Sequence, residues 1–364
     1  MTAKHRWSRR LIVTAVGVAL VFVALRALAL LTPVHQGPAS SHFDGKHFSN
    51  VPVEDSIKKS FFEILRWSIT REPGFWAERR DTVYYSPPRN ISDGLRVTFV
   101  NHATVLIQTG GVNILTDPMW SKRASPVGWM GPARFRDPGM RIADLPPIDA
   151  VLISHNHYDH MDMPSIVKIA EMHDPQFYVP LGNARYLERA GVDNVMELDW
   201  WQTATLNRVE LHAVPAQHWS RRGVYDTNRA LWAGYVIMSD SGPVYFAGDS
   251  GMGGHFAEIS ARLGRPRLAL FPIGAYLPRW FMAKQHIDPA EAVFAHVLMD
   301  AEESMAIHFG TFRLGDDGQD QAVRDLYFAL RRAEIPAAQF WIPGNGDSRF
   351  FESNNESVAS IAAR

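Results

Sequence analysis

The residues with the most chemistry to offer lie in Ser154-His155-Asn156-His157-Tyr158-Asp159-His160. Three imidazoles and a carboxylate are ligand types that suit zinc, which takes His nitrogen and Asp oxygen and in catalytic sites leaves a position open for water. Residues two apart on extended backbone point the same way, so His155 and His157 can grip one ion while Asp159 and His160 turn toward a neighbouring one. The chain has no Cys, so every protein ligand must be His, Asp or Glu. Three further candidates end apolar runs: His218 after 209–216, Asp249 in Phe246-Ala247-Gly248-Asp249-Ser250-Gly251, and His308 after Met305-Ala306-Ile307. Taken singly, each is an ordinary strand-end or turn residue. With the first cluster they make five His and two Asp, an inventory for two metals.

The elements that must position these side chains begin with Val151-Leu152-Ile153, a β-branched and apolar run after Pro146-Pro147 that reads as a buried strand opening onto a loop. Similar runs fall at 95–100, 104–108, 112–116, 151–154, 177–179, 209–213, 231–238, 244–247, 268–271 and 305–308. Helical spacing follows His160, with Met163, Ile166, Val167 and Ala170 on one face, and recurs at 255–263, 289–298 and 319–332. Strands in series with helices between and after them predict an α/β fold of layered sheets with helices outside.

At 364 residues and 46% hydrophobic content the chain can bury a sizeable core. A formal net charge of -1 offers no electrostatic footprint for nucleic acid, so none is expected as a partner. The N-terminus differs in character. Lys4, Arg6, Arg9 and Arg10 precede an uncharged apolar run, 11–25, that resumes after Arg26 as far as residue 31. With Arg26 snorkelling, this stretch approaches the roughly 20 residues that span a bilayer, and its positive flank should stay inside. Ser8-Arg9-Arg10 and Ala27-Leu28-Ala29 instead fit an export signal with a cleavage site. The expectation is therefore a membrane anchor that leaves the remaining chain on the periplasmic or extracellular side, or a segment removed on export. Between 32 and 94 lies a linker with one amphipathic stretch, in which Ile57, Phe61, Ile64, Leu65 and Ile69 predict a helix over 55–70. The aromatic residues Phe61, Phe62, Trp67, Phe75 and Trp76 either pack on the main domain or face lipid. The main domain is expected over 95–352 and a tail over 353–364.

The ordered set of His155, His157, Asp159, His160, His218, Asp249 and His308 resembles the metallo-β-lactamase fold, an αββα sandwich that carries binuclear zinc hydrolases. Three stretches are similar in particular to the N-acyl-phosphatidylethanolamine-hydrolysing phospholipases D: 152–160, Phe271-Pro272-Ile273-Gly274-Ala275-Tyr276-Leu277-Pro278-Arg279-Trp280-Phe281-Met282, and Ser304-Met305-Ala306-Ile307-His308-Phe309-Gly310-Thr311-Phe312. The resemblance implies that His155, His157 and His218 hold one zinc, that Asp159, His160 and His308 hold the other, and that Asp249 bridges them. It implies hydrolysis of N-acyl-phosphatidylethanolamine to N-acylethanolamine and phosphatidic acid, a membrane phospholipid as substrate, and a homodimer. Two zinc ions about 3.5–4 Å apart lower the pKa of a shared water toward about 7 and take up phosphoryl charge, so no nucleophilic side chain is needed. Asp159 would orient that water as well as ligate.

In Gln285-His286-Ile287-Asp288-Pro289, His286 matches the family's active-site His near the phosphate and is expected to assist the leaving group, unless it only caps a helix. Arg221 and Trp129 stand where the family has other residues, Lys and the second of a Gln-Tyr pair, and with Tyr276 they are the expected substrate contacts. Competing readings are a hydrolase of the same fold acting on a lactone or another phosphodiester, and a non-enzymatic lipid-binding scaffold. The complete ligand set counts against the scaffold.

Overall fold

The computed structural model describes residues 35–52, 57, 59–79 and 84–353, with Thr14, Val16 and Gly17. Among these residues no helix is long and apolar enough to cross a membrane. The expected anchor over 11–31 lies outside the described residues, those three apart, as does the tail after 353.

Two seven-stranded sheets face each other. The first runs in the spatial order β14-β1-β2-β3-β4-β5-β6, comprising β1 (Leu95–Asn101), β2 (Thr104–Thr109), β3 (Val112–Thr116), β4 (Ala150–Leu152), β5 (Gln176–Pro180), β6 (Val195–Leu198) and β14 (Ser348–Phe351). The second runs β13-β12-β11-β10-β9-β8-β7, from β7 (Thr203–Leu206), β8 (Val209–Val214), β9 (Gly234–Met238), β10 (Val244–Phe246), β11 (Leu268–Pro272), β12 (Glu303–Ile307) and β13 (Phe340–Trp341). Side chains alternate faces along each strand, which sorts the core into two bodies. Val97, Phe99, Val105, Ile107 and Leu152 join the second sheet in the larger one, while Val100, Leu106 and Val151 turn to the other.

The smaller body is closed by α2 (Met163–His173) through Ile166 and Ile169, and by α3 (Ala184–Glu188) through Leu187. On the far side α4 (His255–Leu263), α6 (Pro289–Leu298) and α7 (Gln321–Arg332) contribute Phe256, Val293 and Leu326 to the larger body. The architecture is the αββα sandwich. Short α5 (Arg279–Met282) and N-terminal α1 (Phe61–Thr70) lie beside each other, Trp67 stacking on Phe281 at 4.8 Å and 15°.

Several boundaries differ from the sequence expectation, and backbone bonding explains each. The first helix begins at Phe61, not 55, because Ser60 and Glu63 close a capping box there. Ile57 is buried outside it, whereas Phe62, Ile69 and Phe75 are 74–84% exposed. Residues 231–233 leave the second sheet to bond the first sheet's loops, Leu231 N–H to Leu181 O at 2.8 Å and Ala233 N–H to Ser154 O at 2.9 Å. The strand over 303–307 stops before His308, which is left-handed at φ 59°.

Candidate metal centre

β4 delivers Ser154 and His155 to the end of the first sheet, and 157–160 then turns back, with the His160 N–H donating to His157 O at 3.2 Å. This turn splits the cluster into two directions. His155 Nε2 lies 2.8 Å from His157 Nδ1, and His218 Nε2, arriving from the second sheet beyond β8, lies 3.2 Å from the same nitrogen. Asp159 Oδ2 faces the other way, 3.3 Å from His160 Nε2 and 3.2 Å from His308 Nε2. Asp249 stands between the groups: its Oδ2 is 3.1 Å from His160 Nε2, 3.3 Å from His308 Nε2, 3.8 Å from His218 Nε2 and 4.0 Å from His155 Nε2.

Two glycines make this approach possible. A Cβ on Gly248, at φ 60°, would meet Ser154 Cβ at 2.6 Å, and one on Gly274 would meet His308 O at 2.1 Å.

Outer partners aim the imidazoles. Asp117, which sequence reading passed over, directly follows β3 and accepts from Ser154 N–H at 2.7 Å and from His160 Nδ1–H at 2.7 Å. His218 Nδ1–H donates to Gln285 O at 2.9 Å, and His155 Nδ1 meets Ser154 Oγ at 2.9 Å. These contacts turn the opposite nitrogens inward, as metal-binding His residues require. Burial, followed by neighbouring imidazoles, holds His155 well below the ordinary value and His157 at about 3; burial outweighs Asp249 and leaves His218 at about 4. Burial opposes the His160 cation too, but Asp249, Asp159 and Asp117 outweigh it and hold His160 well above the ordinary value. Burial would raise the Asp249 carboxyl, yet His160 and His308 keep it well below the usual carboxylate range.

Neutral imidazoles and ionised carboxylates are the forms that bind metals, so His155, His157 and His218 are ready as they stand, whereas His160 would give up a proton when an ion enters. In the first group, three ring nitrogens meet where one hydrogen bond can satisfy only one pair. Asp249 Oδ1 is buried with no hydrogen-bond partner. This donor set fits bound divalent metal.

The centre forms the floor of a cavity of about 1080 Å³. His157, Asp159, Asp249 and His286 line the floor, and Ile57, Ile64, Trp67, Phe281 and Met282 give an apolar wall. Much of that wall belongs to the N-terminal segment, whose aromatic residues the sequence reading left either packing on the main domain or facing lipid. Lys59 and Arg221 also line the cavity; Lys59 bonds Phe281 O and sits 4.1 Å over the Phe281 ring. His286 Nδ1 is buried, has no hydrogen-bond partner and lies 3.8 Å from Asp249 Oδ2. It does not cap the following helix. That role falls to Asp288, which closes a capping box with Glu291.

Two expected substrate contacts stand elsewhere. Tyr276 is buried and donates its hydroxyl to Asp325 of α7, and Trp129 is 76% exposed; neither lines the cavity. His102, in the β1–β2 turn, is a residue sequence reading missed: its Nε2 lies 3.0 Å from Asp159 Oδ2, and it groups with Asp159, His160 and His308 as a possible metal ligand. Its only signal in the chain was an imidazole between two apolar strands.

A model of the β-lactamase superfamily domain matches residues 112–309, a span that includes all seven candidate ligands from His155 to His308. The chain belongs to the β-lactamase superfamily. Within the superfamily it is 40% identical over 234 residues to N-acyl-phosphatidylethanolamine-hydrolyzing phospholipase D 1 of Caenorhabditis elegans, a match covering 61% of this chain and 65% of that protein. It is 31% identical over 221 residues to a metal-dependent hydrolase of Methanopyrus kandleri, covering 60% of this chain and 85% of the relative. Among solved structures, a metallo hydrolase from Ignicoccus hospitalis superposes with a TM-score of 0.54 at 20% identity, covering 71% of this chain and 98% of the other, a likeness of fold.

Proposed function

We propose that the chain is a binuclear zinc phosphodiesterase that hydrolyses N-acyl-phosphatidylethanolamine to N-acylethanolamine and phosphatidic acid. The observation that carries this reading is the convergence of His155, His157, His218, Asp159, His160, His308 and Asp249 on the floor of a large cavity with one apolar wall. The identity to the worm enzyme supports the choice of lipid. His155, His157 and His218 would hold one zinc and Asp159, His160 and His308 the other, with Asp249 placed between the two groups. Zinc bound there would acidify a water and neutralise phosphoryl charge.

The remaining work falls to the chain. Asp159 orients the attacking water. His286, kept neutral chiefly by burial, donates a hydrogen bond to a phosphoryl oxygen or to the departing ethanolamide oxygen. Lys59 and Arg221 offer positive charge to the anionic phosphodiester, and Ile64, Trp67 and Phe281 receive an acyl chain. The exposed Phe62, Ile69 and Phe75 face lipid beside this wall, and an anchor over 11–31 would keep the cavity near the bilayer.

The test is incubation of the zinc-loaded full chain with N-acyl-phosphatidylethanolamine in oxygen-18 water, followed by lipid mass spectrometry with Asp249→Asn as control. Label in phosphatidic acid, unlabelled N-acylethanolamine and an inactive control are expected. A folded protein carrying two zinc ions that leaves this lipid intact would sink the lipid assignment and redirect the search to lactones and other phosphodiesters.

A further inference from the structure

His102 occupies the two-residue turn between β1 and β2, buried and left-handed at φ 48°. A residue with a Cβ adopts that backbone at a cost, and the surroundings here over-determine it. Its carbonyl accepts the His308 N–H at 2.7 Å, and its ring lies 4.1 Å from the His308 ring and edge-on to Phe312 at 5.3 Å. On the other side Nε2 is 3.0 Å from Asp159 Oδ2, while Nδ1 is buried with no hydrogen-bond partner.

That orphaned nitrogen bears on the tautomer; His157 Nε2 and His308 Nδ1 are orphaned in the same way, so the role itself is read from the contacts of His102 with Asp159 and with the His308 N–H. A neutral imidazole carries one N–H. Were Nε2 a metal ligand, the proton would sit on Nδ1 as a buried donor with nothing to receive it. With the proton on Nε2, the donor is satisfied by Asp159 and only an acceptor is left bare, the less costly of the two.

We propose that His102 is a positioning residue of the second metal position: Nε2–H fixes the Asp159 carboxylate while the carbonyl of the same residue fixes the backbone of His308. The assignment rests on the reading of Asp159, His160 and His308 as ligands. Two of those three are thus set by one residue that touches no substrate. Removing the ring frees Asp159 to rotate, and outer partners of metal ligands typically account for about 10–100-fold in metal affinity.

The experiment uses full-length wild type, His102→Phe and His102→Gln, each loaded with zinc and titrated with a chromophoric chelator. Wild type should hold two zinc ions. His102→Phe should keep one as tightly as wild type and yield the other about 10–100-fold more readily. His102→Gln, whose amide N–H can reach the same carboxylate, should stay near wild type. Nitrogen-15 NMR of the His side chains in zinc-loaded wild type supplies a readout that needs no variant, and the proton of His102 should sit on Nε2.

Equal zinc retention by wild type and His102→Phe overturns the proposal. So does loss in His102→Gln as large as in His102→Phe, or a proton found on Nδ1. A wild type that binds fewer than two zinc ions removes the ligand assignment itself, and this one with it, whereas failure to cleave the lipid leaves the metal readout intact.

Discussion

His160 Nδ1 lies 2.7 Å from Asp117 Oδ2, and both side chains are fully buried. Asp117 also receives the Ser154 N–H at 2.7 Å, so one carboxylate fixes both the imidazole and the backbone that leads into the His cluster. Replacing Asp117 by Ala strands these two donors and takes the acceptor from the Ser154 hydroxyl, at about 1–3 kcal/mol for each buried unsatisfied group. Asp117→Ala should therefore lower the melting temperature of the zinc-free protein. Asp117→Asn should fold well and bind zinc about 10–100-fold more weakly. Thermal melts beside chelator competition separate these outcomes; unchanged zinc affinity in both variants would remove Asp117 from the centre.

Zinc itself should stabilise the fold, because the converging nitrogens exist as a set only in the native chain. At a free concentration about 100 times the dissociation constant, one bound ion adds about 2.7 kcal/mol. Melting temperature should rise with added zinc and fall with a chelator, and Asp249→Asn should shrink the span between the two. A span unaffected by Asp249→Asn would place the stabilising metal elsewhere.

His286→Ala should leave zinc content at the wild-type value and lower the turnover number about 10²–10⁴-fold, the usual range for a proton-handling side chain. Metal content by mass spectrometry is the deciding measurement. Loss of an ion in this variant would mean that the imidazole ligates, and a lower melting temperature with full turnover per folded molecule would mean that it only supports the loop.

The apolar wall and the Tyr276 hydroxyl should respond differently. Trp67→Ala removes the ring stacked on Phe281 and should raise KM for long acyl chains more than for short ones. Tyr276→Phe removes only the hydrogen bond to Asp325, for about 0.5–1.5 kcal/mol of stability, with KM unchanged. Steady-state kinetics on a chain-length series tests both; a KM insensitive to Trp67→Ala would place the acyl chain on another surface.

Acid should loosen the N-terminal segment. Burial would raise the Asp199 carboxyl, but the hydrogen bond from His42 Nε2, at 2.7 Å, helps to outweigh burial and lower it. A carboxyl lowered in the folded state adds stability above its unfolded value of about 3.9, and that contribution disappears as pH falls through the folded value. The gap in melting temperature between wild type and Asp199→Asn should be open at pH 7 and close on acidification below about 3.9. A gap constant across that range contradicts the assignment.

How much of this was legible in the chain depended on whether the signal was local. Val151-Leu152-Ile153 and its His-rich sequel declare a strand and its cargo within ten residues, whereas the separation of His155 and His157 from Asp159 and His160 comes from a turn over 157–160 rather than from the extended backbone that the sequence reading assumed. The αββα layering was readable because β1 to β5 alternate or run apolar. β6 and β7 escaped because their exposed Met196, Thr203 and Thr205 dilute the pattern, and β14 because it pairs with β1 across 250 residues. Asp117 and His102 were invisible for a related reason: a buried carboxylate after Thr116 and an imidazole in a turn look ordinary until His160 and Asp159 arrive beside them. The Tyr276 hydroxyl bond was equally hidden, since nothing in its own neighbourhood announces Asp325 on α7.

Loops from both facing sheets meet at the centre, His155 to His160 coming from the first and His218, Asp249 and His308 from the second. Any ion held there is a rivet through the seam of the sandwich. Pulling the halves apart would then require breaking coordinate bonds together with the apolar contacts, and the loaded protein should yield in a single high-force event where the stripped one slides open sheet from sheet.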